Sequence, residues 1–72
     1  MKLYVSVNMP IMLASIEAAK KLGINGNNIF VKAVVESHTE ALAYATKIVS
    51  EYEEKGLKFF SVMVRTSMDP FK

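Results

Sequence analysis

Apolar and polar side chains alternate along the first seven residues, with Leu3, Val5 and Val7 on one side and Lys2, Tyr4 and Ser6 on the other. A two-residue period belongs to a strand with one buried face, and it predicts a first strand over residues 2–7. The period then changes. Asn8 suits a helix cap and Pro10 suits a first helical turn, where its missing N–H costs nothing. Beyond them Ile11, Met12, Ile16, Ala18, Ala19 and Leu22 recur at spacings of three and four, while Glu17, Lys20 and Lys21 mark the wet side. This spacing predicts a helix from Asn8 to Leu22, with Leu13 an exception on the polar side.

Gly23 followed by Ile24 has the form of a helix stop, in which glycine turns left-handed and the next apolar residue folds back on the last turn. Asn25, Gly26, Asn27 and Asn28 are turn formers, and the β-branched stretch from Ile29 to Glu36 predicts a second strand. Ile29, Val31, Ala33 and Val35 line one of its faces, whereas Phe30 and Val34 sit with Lys32 and Glu36 on the other. Ser37, His38, Thr39 and Glu40 spell a capping box: the serine accepts from the third helical N–H and the glutamate reaches back to the N–H of the cap. The helix it opens carries Ala41, Leu42, Ala45, Ile48, Val49 and Tyr52 on one stripe and ends at Lys55, before a second stop at Gly56 and Leu57. Lys58 to Thr66 predicts a third strand, with Phe60, Val62 and Val64 on one face and Phe59, Ser61, Met63 and Arg65 on the other. The tail 67–72, which contains Pro70, is expected to be loose.

Strand, helix, strand, helix, strand, joined by short connections, predicts an α/β domain whose three strands form a mainly parallel sheet, each strand after a helix running the same way. The two amphipathic helices then cover one face or both, according to whether the first strand lies at the edge or in the centre. If they share a face, the side carrying Tyr4, Phe30, Val34, Phe59 and Met63 needs a cover from another molecule.

Composition narrows the function classes. With 51% hydrophobic and 22% charged residues the chain has the make-up of a folded protein, and 72 residues make one domain, 1–72. Having no cysteine, it has no disulfide framework, no Cys-based zinc site and no thiol nucleophile. The opening residues alternate instead of forming the apolar run of a signal peptide, and no stretch approaches the roughly 18 apolar residues of a membrane span. These features place the protein in the cytoplasm as a soluble chain. Nine basic against seven acidic residues give a net charge of +2, too small to point to nucleic acid by itself.

Candidate chemistry is sparse. His38, the single histidine, has Ser37 and Glu40 beside it, yet these are the residues a helix start requires, and no second base or nucleophile is tied to it by spacing. Glu51, Glu53 and Glu54 spread around a polar helix face, where Glu51 and Lys55 form a stabilising pair, so no metal site is expected. No cofactor motif is present. In a parallel sheet the carboxyl ends of the strands would gather Asn8, Ser37, His38, Thr66 and Ser67 beside two helix N-termini, an edge suited to an anion or small molecule. Tyr4, Phe30 and Phe59, one aromatic per strand, resemble a stacking platform for bases, but Val34 and Met63 among them and only two cations, Lys32 and Arg65, favour protein over nucleic acid as the partner. The sequence therefore predicts a non-enzymatic interaction protein, an accessory or inhibitory factor, that self-associates as a homodimer or larger assembly and binds a macromolecule. An anion-binding regulatory module at the carboxyl edge is the alternative.

Overall fold

Leu3, Val5, Val7, Met9 and Ile11 are all buried in the computed structural model of the chain, which describes residues 2–69. Period-two alternation thus continues past Val7, and the strand it specifies, β1, spans Leu3–Pro10. Asn8 and Pro10, expected to open a helix, lie inside this strand. Proline is tolerated there because it has no N–H to place, while its carbonyl accepts from Phe60 N–H at 2.9 Å.

Two further strands, β2 (Asn28–Val35) and β3 (Met63–Ser67), flank β1 in the order β2-β1-β3. Both run antiparallel to it. The expected mainly parallel sheet is therefore replaced by a three-stranded antiparallel one, and helix length explains the difference. The first helix, α1, covers only Ile16–Lys21, preceded by a 3-10 turn over Leu13–Ser15. Six residues of helix rise about 9 Å, whereas β1 is about 26 Å long. So short a helix cannot carry the chain back to the start of β1. Ile11 N–H donates instead to Asn27 C=O at 2.8 Å, and Pro10 stands opposite Asn28. Residues 11–27 are thus the connection of a long hairpin, with a helix folded into it.

The second helix, α2 (His38–Glu54), rises about 26 Å and does match a strand in length. It returns the chain across the sheet, so β2 and β3 run parallel to each other with β1 between them. Ala41 and Ala45 are the buried residues of α2, and their small side chains let the helix lie close to Val5 and Val7, both fully buried. Ala19 of α1 and Leu57, beyond α2, complete the same cluster.

Both glycine stops form as expected. Gly23 and Gly56 have φ of 82° and 94°, Ile24 N–H donates to Ala19 C=O at 3.0 Å and Leu57 N–H to Tyr52 C=O at 3.1 Å. The capping serine is in place as well, Ser37 Oγ accepting from Glu40 N–H at 3.1 Å. Glu40 reaches one residue further back than the usual box, its Oε2 accepting from Glu36 N–H at 2.8 Å. Buried Ser15 does not cap α1; its Oγ accepts from Lys58 N–H at 2.9 Å, tying the start of α1 to the approach of β3.

The third strand is shorter than the predicted span from Lys58 to Thr66. Asn8 stands opposite Met63, but three residues further along β1 Ile11 bridges to Phe59, four residues from Met63. One extra residue is taken up in this interval, as in a β-bulge, and it reverses the facing of everything before it. Phe59 consequently turns to the core side, where it packs against the buried cluster and meets Tyr52 edge-on at 6.4 Å. Ser67, expected in the loose tail, is the last residue of β3, and the expectation for Pro70 to Lys72 lies outside the described residues.

Ser37→Ala should destabilise the protein by about 1 kcal/mol, lowering Tm by about 4–8 °C in a domain of this size. Ser15→Ala leaves Lys58 N–H without its acceptor at a partly buried site, and chemical denaturation should show a loss of about 1–3 kcal/mol.

Candidate functional site

The even-numbered residues of β1 point away from the core. Register places Tyr4 opposite Val34 and Ser67, Ser6 opposite Lys32 and Arg65, and Asn8 opposite Phe30 and Met63. The result is three rows across the sheet. Two rows are largely apolar, and the one between them holds both cations. None of Tyr4, Phe30, Val34 and Met63 belongs to the core cluster or to the residues packed on it, so this face has no helix over it among the described residues.

Exposure agrees with that placement. Phe30 and Val34 are each 53% exposed and Met63 46%, values far above those of the same strands' core side chains. Ser6 is nevertheless buried in the middle of the face, where the register sets it between Lys32 and Arg65. Lys32 Nζ lies 5.4 Å from the centroid of the Phe30 ring, a cation–π contact along β2. Asn8 Oδ1 is buried with no hydrogen-bond partner, a polar atom left over between Phe30 and Met63.

Of the five residues expected on the apolar interface, four come together here: Tyr4, Phe30, Val34 and Met63. Phe59 does not join them, because of the extra residue before Met63. Phe60, its neighbour, is exposed instead. The alternation of residues 58–66 gave no sign of this break, since Phe59 and Phe60 fit either facing.

The five residues expected at the carboxyl edge do not converge. In an antiparallel sheet the end of β1 lies beside the starts of β2 and β3, so Asn8 is about four residues, roughly 13 Å, along the strand from the row of Tyr4 and Ser67. Ser37, His38 and Thr66 do share one end. His38 Nδ1 and Thr66 Oγ1 are 3.4 Å apart, and Ser37 is engaged as the cap. Ser67 Oγ accepts from Asp69 N–H at 3.1 Å. Each of these groups thus has a local structural contact. Among the described residues no three of His, Asp and Glu are grouped to hold a metal ion.

Comparison with protein-family models, curated proteins and solved structures returned no match. Besides the open face, a shallow apolar groove of about 320 Å³ lies between α2 and the approach to β3, lined by Leu42, Ala45, Val49, Val62 and Val64. Leu42, predicted on the buried stripe of α2, is 62% exposed at its rim. Among the described residues no helix is long and apolar enough to cross a membrane.

The two phenylalanines should separate cleanly. Phe59→Ala removes a ring packed on the core and should cost about 2 kcal/mol or more, whereas Phe30→Ala should change stability by no more than about 0.5 kcal/mol. Urea unfolding of the two variants checks the facing of both.

Proposed function

We propose that the chain is a small non-enzymatic binding module whose working surface is the open face of its sheet. The observation behind this reading is the continuity of Phe30, Val34 and Met63, all about half exposed, with Tyr4 on a face to which neither helix contributes. Contiguous apolar patches on folded chains mark interaction sites more often than they occur idly. Antiparallel sheets commonly leave one face to water, but then alternate polar residues fill it. Here only the middle row is charged. The cysteine-free composition fits a reducing compartment, and we place the activity in the cytoplasm.

Self-association is the occupancy that the apolar residues alone suggest, and charge argues against stacking two copies on this face. Two sheets laid centre on centre bring Lys32 and Arg65 of each copy into one interface. Like charges brought together in one interface repel, and burying them adds a desolvation cost. A different partner of opposite charge meets no such penalty.

A photo-crosslinking amino acid at position 30 tests the reading against the same group at position 47, an exposed site on α2. In cell extract, position 30 should yield crosslinked adducts that position 47 does not. Equal yields at the two positions would overturn the assignment of the open face as the working surface.

A further inference from the structure

We infer that two copies of the chain join through the outer edge of β2, antiparallel and around a twofold axis at Val31, so that two three-stranded sheets become one of six strands. This contact follows from backbone geometry and does not depend on what the open face binds. Hydrogen bonds at the end of β1 fix the backbone directions. Ile11 N–H donates to Asn27 C=O, the residue that continues the β1–β2 register, whereas Met12 N–H donates to Lys58 C=O and Pro10 C=O accepts from Phe60 N–H on the β3 side. Along an antiparallel pair, partners that bond to each other alternate with partners that do not. Odd-numbered residues of β1 and β2 therefore bond across this pair, and the N–H and C=O groups of Asn28, Phe30, Lys32 and Val34 point outward from β2. Strand order leaves that edge without a neighbouring strand among the described residues.

The edge has the features that attract another strand. Its eight residues pair with β1 in unbroken register and contain no proline, no bulge and one charge. The other edge differs, since β3 has five residues and its ladder is interrupted before Met63. The β2 edge is also its own complement. Pairing must match even residues with even ones to keep core side beside core side. Centring on Val31 sets Phe30 opposite Lys32 of the second copy and Asn28 opposite its Val34, each pair occurring twice, so every outward residue of the strand finds a hydrogen-bonding partner. Neighbouring centres do worse. Centring on Lys32 opposes like charges, and centring on Phe30 carries Val34 past the strand to Gly26. Centring on Ala33 calls on Glu36 N–H, which already donates to Glu40 Oε2.

Side chains agree with this register. On the core side Val31 meets its own copy at the axis and Ala33 meets Ile29, which covers two residues, Val31 and Ala33, that a single chain leaves half-buried. On the open side Lys32, 5.4 Å from its own Phe30 ring, gains the Phe30 ring of the second copy across from it. The two Lys32 residues are diagonal neighbours about 7–8 Å apart, and their long stems carry the ammonium groups away from each other into water. Because the axis stands perpendicular to the sheet, both open faces lie on the same side and merge into one surface to which each copy contributes.

Light scattering after size exclusion tests the inference. At about 100 µM, where a contact of micromolar Kd is filled, the chain should have the mass of two copies instead of the 8.0 kDa of one. Phe30→Lys, a change at an exposed position, sets each new lysine opposite Lys32 of the other copy and should give a folded monomer by circular dichroism. Adding Lys32→Glu to it should restore the dimer, since opposite charges then face each other twice. In a chain without cysteine, Val31→Cys should oxidise to a disulfide-linked dimer, and Lys47→Cys, exposed on α2, should not. A single-chain mass at about 100 µM, a dimer undiminished by Phe30→Lys, or equal crosslinking at positions 31 and 47 would each overturn the inference. The photo-crosslinked adducts at position 30 keep the two proposals apart: adducts with a second copy belong to the edge contact, and adducts with any other molecule belong to the open face.

Discussion

The position of β1 between two strands governs the rest of the architecture. Its backbone is paired on both sides over most of its length, and its odd-numbered side chains from Leu3 to Ile11 are almost wholly excluded from water. Leu3, Val5, Val7 and Met9 of this one strand are four of the ten buried hydrophobic residues among those described, in a domain with little interior to spare. Both neighbours of β1 come from later in the sequence. The first arrives through a hairpin that contains α1, the second through the long return of α2. Both helices are drawn to the side where β1 buries its apolar residues, and the opposite side is left open as a consequence.

Local signals in the sequence were legible where a single residue type has one structural use. Gly23 and Gly56 ended their helices, Ser37 capped α2, and β2 fell within a residue of its expected span. Asn8 and Pro10 are where local and long-range signals conflict. Both are good helix openers, and their local preference obscured the fact that apolar residues at every second position run unbroken from Leu3 to Ile11. A helix starting at Asn8 is long enough for a parallel crossover, so the direction of the sheet follows from that single boundary. Strand direction was thus never encoded locally. It depended on whether α1 has six residues or twice as many.

The same holds for the site. Tyr4, Phe30, Val34 and Met63 were legible as one face because strand parity survives a change from parallel to antiparallel pairing. Phe59 was not, since a single extra residue reverses parity and leaves no mark in a run such as Phe59, Phe60, Ser61, Val62. The carboxyl-edge residues were assembled only by the assumption of a parallel sheet. With β1 reversed relative to its neighbours, Asn8 leaves that edge and becomes part of the open face, beside Phe30.

The strand order also imposes a sequence of events during synthesis. The β1–β2 hairpin closes early, because its partners are near in the chain, and α2 can settle on it as soon as it is made. Until Met63–Ser67 emerge from the ribosome, however, one edge of the central strand stays unpaired, with its backbone N–H and C=O groups open to any other extended chain nearby. Folding of this sheet is therefore completed by β3, and for the time taken to translate the intervening helix the nascent domain is a two-stranded sheet that exposes its central strand at an edge.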